Sequence, residues 1–387
     1  MANSYYQTPT TPRLYVSYPL WQYANGGLDF LNGYINGEYD AIPHEDMIKL
    51  IQLDPSDPVS LDWTSHTTMW LSYGIVPTSR IEAHRPYKLW DFNYTMILNH
   101  NLASYGVRPF PRESNPNFDT GTAGNIGWNN ILNQGSPPEY DGFTIIGHDY
   151  THGHIMTNNV FQFGFWEPNS VVPNTNYRPV QIGTLMFGKY FDFPQNCDLN
   201  TTLTYEYGTS SVKSVGGKSI NTTQWTKPDS WYNQSTGGTE PFGLRGVGTN
   251  FNDTADSFRR RSGLRVWNIS FDSVLPNRVM NQNPMMNSNG WNHNFDNYDL
   301  QADGTSSLYT IDIGYEEWDS SMASNIGLDF YTNVVHKTNG GSLAMVMQID
   351  KDDPSPQNFA IVKMSKYTIT QKAPNLYSFS LTLEEQV

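Results

Sequence analysis

The sequence is poor in cysteine and in charged residues. Cys197 is the single cysteine of 387 residues, which excludes an intrachain disulfide and a zinc site built from several thiolates. Charged residues make up only 16%, and the acidic ones prevail, giving a formal net charge of -14. A surface for nucleic acid needs clustered Lys and Arg, and the main basic run is Arg259-Arg260-Arg261. We therefore expect no nucleic-acid partner.

Long apolar runs are also missing. No stretch reaches the roughly 20 residues that a membrane-spanning helix needs, and the N-terminus lacks the charged-then-apolar pattern of a signal peptide. We expect a soluble chain made in a cytoplasm, without membrane insertion.

The motifs of common enzymes and cofactor sites are absent from the sequence. It contains neither a Gly-x-Ser-x-Gly elbow nor a dinucleotide fingerprint. Gly216-Gly-Lys-Ser219 superficially resembles a phosphate loop, but it lacks the upstream glycine at the required spacing and a following apolar helix. We expect no catalytic residues, no cofactor and no enzymatic activity.

Aromatic and small polar residues are abundant instead. Aromatics reach 14% while hydrophobic residues total only 37%, a composition that favours short strands joined by many turns. The sequence predicts an all-β protein of sandwiches or barrels with little helix. A Pro- and Asn-rich segment at 167–179 predicts a boundary between two domains, 14–175 and 176–387. Residues 1–13 are expected to form an extended arm, and 276–303 an irregular insertion.

Two amphipathic strands stand out in the second half. Arg265, Trp267, Ile269 and Phe271 alternate with mostly polar residues, and period-two alternation indicates a strand with one packed face. A second strand of this kind spans 377–384. We predict that these two strands pair and form the core of the C-terminal domain.

Other segments are less uniform. Leu199, Leu203, Tyr205 and Tyr207 share one face of a further predicted strand, and the continuous run Met96–Leu98 is typical of a strand buried on both faces. Residues 45–53 fit either a turn of helix or a strand. Residues 107–141 are interpreted as long surface loops and 208–257 as extended connections, because they are rich in Gly, Ser, Thr, Asn and Pro.

A histidine cluster is the candidate metal site. His148, Asp149, His152 and His154 lie within eight residues, and His152 and His154 would share one side of a strand. Imidazole and carboxylate groups together can ligate transition metals. The spacing matches no established metal motif, so the alternative interpretation is a polar loop.

Acidic clusters beside aromatics raise glycoside hydrolysis as a hypothesis. They are Glu316-Glu317-Trp318-Asp319 and Asp350-Lys-Asp-Asp353, and such hydrolases need two carboxylates across a cleft. Solvated turns explain most acidic clusters equally well. Exposed tryptophans could also stack on sugars, although packing in cores and interfaces is the alternative for them; the candidates are Trp21, Trp63, Trp70, Trp90 and Trp128.

Several motifs in a fixed order resemble a known group of proteins. They include the segments 182–194 and 198–207, Gly216–Ser219, 262–271 and 372–385 in the second half, with 12–16 and 96–104 in the first. In this succession the chain resembles poorly characterised structural proteins of tailed bacteriophages. The segment 96–104 also resembles the strand and turn of galactose-binding-like sandwiches.

The resemblance implies two β-sandwich domains of jelly-roll or galactose-binding-like type with long irregular loops. It implies a virion component of the tail, in a distal-tail, baseplate or tail-tip position, assembled in the host cytoplasm into a ring that joins the tail tube to peripheral parts. The implied partners are copies of the chain itself and neighbouring virion proteins. The alternative is a glycan-binding module that recognises a host surface glycan; a collar or capsid-associated protein is a third option.

Overall fold

A computed structural model of the chain describes residues 11–25, 30–35, 42–55, 57–61, 68–74, 94–103, 106–114, 138, 141–147, 160–166, 180–199, 201–207, 209–223, 263–275, 279, 330–355, 358–374 and 376–386. The helices in these ranges are α1 (Tyr18–Ala24), α2 (His44–Lys49) and a π-helix (Tyr331–His336). The strands are β1 (Arg13–Tyr15), β2 (Phe30–Ile35), β3 (Val59–Leu61), β4 (Thr68–Gly74), β5 (Tyr94–His100), β6 (Arg108–Ser114), β7 (Phe143–Gly147), β8 (Val160–Trp166), β9 (Val180–Gly188), β10 (Tyr190–Asp192), β11 (Thr202–Glu206), β12 (Thr209–Lys213), β13 (Ser219–Thr223), β14 (Leu264–Val274), β15 (Met345–Gln348), β16 (Phe359–Ala373) and β17 (Leu376–Glu385). None of the helices described is long and apolar enough to cross a membrane.

The strands form three larger antiparallel sheets and one separate hairpin. The seven-stranded sheet has the order β10-β1-β15-β16-β17-β14-β11. An inner sheet has the order β3-β9-β5-β7 and an outer sheet the order β2-β4-β8-β6, while β12 and β13 pair only with each other. The expectation of a mostly β protein is confirmed at this level.

The inner sheet is buried on both of its faces. Ile97 of β5 shares a hydrophobic core with Phe163 of the outer sheet, whereas its neighbours Met96 and Leu98 share another with Phe359 of the seven-stranded sheet. All seven residues of β5 are buried, so the doubly buried strand predicted from the run Met96–Leu98 is confirmed. The inner sheet therefore lies between the other two as a middle layer.

The far face of the seven-stranded sheet carries a third core that is rich in phenylalanine. Phe271 is fully buried and stacks on Phe193 with ring centroids 4.4 Å apart and on Phe379 at 5.3 Å. Phe330, directly before the π-helix, packs on Phe379 at 4.7 Å. Offset aromatic pairs at such distances add to the free energy gained from burial alone, so this cluster is the centre of the third core.

The predicted pairing of the two amphipathic strands is confirmed. β14 and β17 are antiparallel neighbours, with Trp267 opposite Leu383 and Phe271 opposite Phe379. Trp267 is buried like Phe271. The register shifts after Phe271, where Ser273 has a φ of 62°, because a bulge places one extra residue in the strand.

Two helical segments were poorly specified by periodicity. Residues 45–53, left open between helix and strand, include most of α2. Helix α1 was missed, although Ser17 caps it by accepting a hydrogen bond from the backbone N–H of Leu20, and Pro19 stands in its first turn. Ser at the N-cap and Pro directly inside a helix are the usual start signals.

The loop predictions are corrected in part. β6 occupies 108–114 and the β12–β13 hairpin occupies 209–223, so these parts of the predicted loops are strands. Of the predicted arm at 1–13, only residues 11–13 are described, and Arg13 begins β1. The predicted insertion at 276–303 lies outside the described residues apart from position 279.

The division into domains 14–175 and 176–387 stays a prediction. Strand pairing joins the two sides of the proposed boundary, since β9 pairs with β3 and β5 of the first half. In the other direction, β1 pairs with β10 and β15 of the second half.

Candidate interaction surface

The predicted metal-binding residues lie outside the described part of the chain. His148, Asp149, His152 and His154 follow directly after Gly147, the last residue of β7, and the metal site there stays a prediction. Within the ranges that the structure describes, no group of three or more His, Cys, Asp and Glu side chains is placed to hold a metal ion.

The acidic turn between β15 and β16 is explained by local hydrogen bonding. Asp350 accepts a hydrogen bond from the backbone N–H of Asp352 at 3.1 Å, and Asp353 accepts one from that of Ser355 at 2.9 Å. The hydrogen bonds from Ser355 lower the pKa of Asp353. These carboxylates therefore shape a turn, which agrees with the interpretation of the acidic cluster as a solvated turn. The other acidic cluster, residues 316–319, lies outside the described residues.

Trp21 is a packing residue. It is buried in α1, lies edge-on to the ring of His336 at 5.9 Å, and receives the ammonium of Lys337 over its ring at 4.2 Å. The packing interpretation therefore holds for this tryptophan. Trp70 belongs to β4, and the other three candidates, Trp63, Trp90 and Trp128, are not among the described residues.

His100 is the most strongly perturbed histidine in the described part of the chain. Its Nε2 lies 2.7 Å from the hydroxyl of Thr144, and its Nδ1 accepts a hydrogen bond from the backbone N–H of Leu102. The ring is therefore the neutral tautomer with its proton on Nε2. Complete burial lowers the pKa of His100 to about 3. A neutral, fully hydrogen-bonded imidazole with no access to solvent is a structural group.

The described surface is most unusual at β11. Four apolar side chains there, which we call the β11 edge, are between 41% and 88% exposed: Leu199, Leu203, Tyr205 and Tyr207. β11 is the last strand of the seven-stranded sheet and pairs with no described strand other than β14. An exposed edge strand presents unpaired backbone groups to another chain. Within the described part of the chain, β11 therefore has exposed apolar side chains and one edge with no paired strand.

The β11 edge continues the phenylalanine-rich core outward. Leu203 lies opposite Trp267 and Tyr205 opposite Arg265 in the antiparallel register, so they extend the same sheet face. Trp267 is 3% exposed, whereas Leu203 is 46% exposed. In the ranges that the structure describes, the core is covered as far as β14 and the apolar side chains of the next strand are exposed, which is typical of a surface completed by a partner.

The start of β14 fits closely against the end of β11. Gly263, directly before β14, has a φ of +75°, and a Cβ there would lie 2.7 Å from the carbonyl oxygen of Glu206. Only glycine combines this backbone conformation with such an approach.

A charged pair fixes β14 to the end of the chain beside this surface. Glu385 is 4% exposed and accepts hydrogen bonds from the backbone N–H and the Nε of Arg265, both at 2.9 Å. The guanidinium of Arg265 also lies over the Trp267 ring at 4.9 Å. The pair therefore positions the strand against which β11 packs.

We expect Glu385→Ala to lower the free energy of unfolding by about 2 kcal/mol, because it leaves a half-buried guanidinium and a backbone N–H without their acceptor. Urea unfolding followed by circular dichroism measures this change. Glu384→Ala is the matched control, since that neighbouring carboxylate is exposed and its removal should change stability by no more than about 0.5 kcal/mol. Equal effects of the two variants would contradict the assigned role of Glu385.

The β12–β13 hairpin follows β11 along the chain. Val212 lies directly opposite Ile220, and both are exposed, as is Val215 in the turn. Gly216–Ser219 forms part of this turn and leads into β13, which confirms that the segment is not a phosphate loop, because a strand follows it.

Sequence reasoning found β11 as a strand but not its exposure. Alternation of Leu203 and Tyr205 with Thr202, Thr204 and Glu206 is the same pattern that a buried face would show, so nothing in it marks an open surface. The hairpin could have been recognised, because Gly216-Gly217 stands between two short segments that contain the strand-favouring residues Thr, Val and Ile, which is a hairpin signal.

No protein-family model matches this chain, and neither the curated proteins nor the solved structures include a significant match to it.

Proposed function

We propose that this protein is a structural component of a tailed-phage virion. We place it in the tail, at a distal-tail, baseplate or tail-tip position, where copies of the chain form a ring that connects the tail tube to peripheral parts. Its partners are other copies of itself and neighbouring virion proteins. It has no catalytic role in this proposal.

The β11 edge is the observation that carries the proposal. A sheet edge with exposed apolar side chains invites association, because its backbone groups can pair with another chain and its apolar area can be buried there. Two exposed tyrosines, Tyr205 and Tyr207, are of the residue type enriched at subunit contacts. Such a surface suits a chain whose final state is an assembly.

The position of the β11 edge at one end of its sheet is also compatible with a ring. The β11 edge lies at one end of the seven-stranded sheet, whereas β10 ends the other. A contact between two different surfaces of identical subunits is heterologous, and such contacts close into rings when the rotation permits. Sequence resemblance to phage structural proteins supplies the tail location.

Glycan binding is the second candidate, because exposed tyrosines can also stack on sugar rings. In that case Tyr205→Ala and Tyr207→Ala should abolish binding of the isolated protein to a host surface polysaccharide. A collar or capsid position would leave the same surface in use but change the copy number.

Particle composition tests the proposal. We expect quantitative mass spectrometry of purified particles, from the phage that encodes the chain, to find the protein at a fixed number of copies set by the ring symmetry. Density of the intact particle would then show its position. Absence of the chain from particles would overturn the proposed function.

Variants of β11 test the surface itself. In a phage supplied with the protein in trans, Leu203→Asp with Tyr205→Asp should reduce its incorporation about tenfold or more, because charges would replace two apolar contacts. Thr202→Asp with Thr204→Asp is the matched control, since it adds the same charge on the opposite face of the strand. Equal incorporation of both double variants would show that the β11 edge is not the contact.

A further inference from the structure

We propose that the β12–β13 hairpin is the element with which one copy of this chain docks on the acidic surface of a second copy. The inference rests on the proposed function and names the contact through which copies would assemble. It goes beyond the β11 edge, because it assigns a separate segment, residues 209–223, and a second copy as its partner.

Among the described strands, β12 and β13 pair with each other and with no larger sheet. Every side chain described between positions 210 and 220 is exposed. A two-stranded hairpin alone is marginally stable in water. A partner surface would supply the burial that this segment lacks.

The hairpin nevertheless has a defined turn. The backbone N–H of Ser214 donates to the carbonyl of Lys218 at 2.9 Å, and that of Gly217 donates to the carbonyl of Ser214 at 2.8 Å. Gly217 has a φ of +77°, which favours glycine at this position. The tip is therefore shaped before binding, which reduces the entropy lost on docking.

The apolar residues of the hairpin point to a buried contact. Val212 and Ile220 form a direct cross-strand pair and are 66% and 57% exposed. Val215 stands fully exposed in the turn. Three branched aliphatic side chains at the end of a projecting hairpin are suited to insertion into another surface.

Charge identifies the partner. Residues 209–223 contain Lys213 and Lys218 and no acidic residue, whereas the whole chain carries a formal net charge of -14. The hairpin is thus a basic segment on an otherwise acidic protein. Its electrostatic complement is a group of carboxylates, which a second copy of this acidic chain carries, and opposite charges across a contact fix its orientation. A contact of this kind is heterologous, as a ring requires.

Self-association of the full chain tests the inference. In sedimentation velocity over a range of protein concentrations, we expect Val212→Thr with Ile220→Thr to weaken association about a hundredfold. We expect Lys213→Gln with Lys218→Gln to weaken it about tenfold. The charge effect should shrink when the salt concentration rises from about 0.05 M to about 0.5 M, because salt screens exposed charges.

The control for charge is Lys366→Gln with Lys372→Gln, which removes two exposed lysines from β16 and should leave association unchanged. Zero-length carbodiimide cross-linking of mixed ¹⁴N and ¹⁵N protein should join Lys213 or Lys218 to carboxylates of the other isotope. A chain that stays monomeric, or one whose association and cross-links do not involve the hairpin, would overturn the inference. If the protein is nevertheless found in particles, the proposed function stands without it.

Discussion

Replacing Phe271 with alanine should lower the free energy of unfolding by about 4 kcal/mol, because truncating a buried phenylalanine removes its burial and leaves a cavity. Phe271 is fully buried and stacks with Phe193 and Phe379, whose own centroids lie 5.8 Å apart. The three rings therefore pack as one cluster, to which Phe271 of β14 and Phe379 of β17 contribute from directly opposite positions. Urea unfolding followed by circular dichroism measures the change.

Two further variants test the cause of that loss. Phe271→Leu keeps most of the apolar volume and should cost about half as much, since only part of the cavity and the ring stacking are lost. Leu275→Ala, at a site that is 56% exposed just after β14, should change the free energy of unfolding by no more than about 0.5 kcal/mol. A loss below about 1 kcal/mol in Phe271→Ala would contradict the central position of this ring.

Acid should destabilise the protein through His100. Burial lowers its pKa in the folded state from the ordinary 6.5 to about 3, so the unfolded chain binds the extra proton first. Stability is therefore complete above the unfolded pKa and falls as the pH drops below it. The expected contribution of His100 is a loss of about 2 kcal/mol at about pH 5 and roughly 4–5 kcal/mol near pH 3.

His100→Asn isolates this contribution. The variant should be less stable at neutral pH, but between about pH 7 and about pH 5 it should lose about 2 kcal/mol less than the natural chain. The matched control is His44→Gln, which removes an exposed imidazole at the start of α2. An identical acid dependence in His100→Asn would show that the imidazole does not titrate on unfolding in this range.

His336 should add a smaller acid effect. Burial and the neighbouring charge of Lys337 lower its pKa to about 4, in the same direction as for His100. Because its ring is only partly buried, solvent reduces the energetic consequence. Replacing both histidines should therefore flatten the acid dependence more than replacing His100 alone, with His100 supplying the larger part.

The proposed assembly surfaces make different demands on the chain. The β11 edge extends an existing core, so its variants alter a contact beside a rigid sheet. The hairpin pairs with no other described strand, so its variants alter a contact made by a separate two-stranded element. Comparing the two sets of variants therefore distinguishes a contact of the large sheet from a contact of the hairpin.

The sequence by itself determined the elements with strong periodicity. The alternating patterns of β14 and β17 were sufficient to predict that these two strands pair. The observed register confirms this pairing. The uninterrupted apolar run Met96–Leu98 likewise predicted a strand that is buried on both faces, and all residues of β5 are buried. In each case the strand lies inside its sheet with a strand on both sides, so the face that the local pattern marked as apolar is also buried.

The tertiary structure alone decided which faces stay open. Leu203 and Tyr205 have the same alternation as Trp267 and Phe271, yet they are exposed because β11 is the last strand of its sheet. Strand order is set by contacts between segments far apart in sequence, such as β1 with β15, and no local pattern encodes it. For the same reason only the structure showed that β12 and β13 have no further neighbour among the described strands.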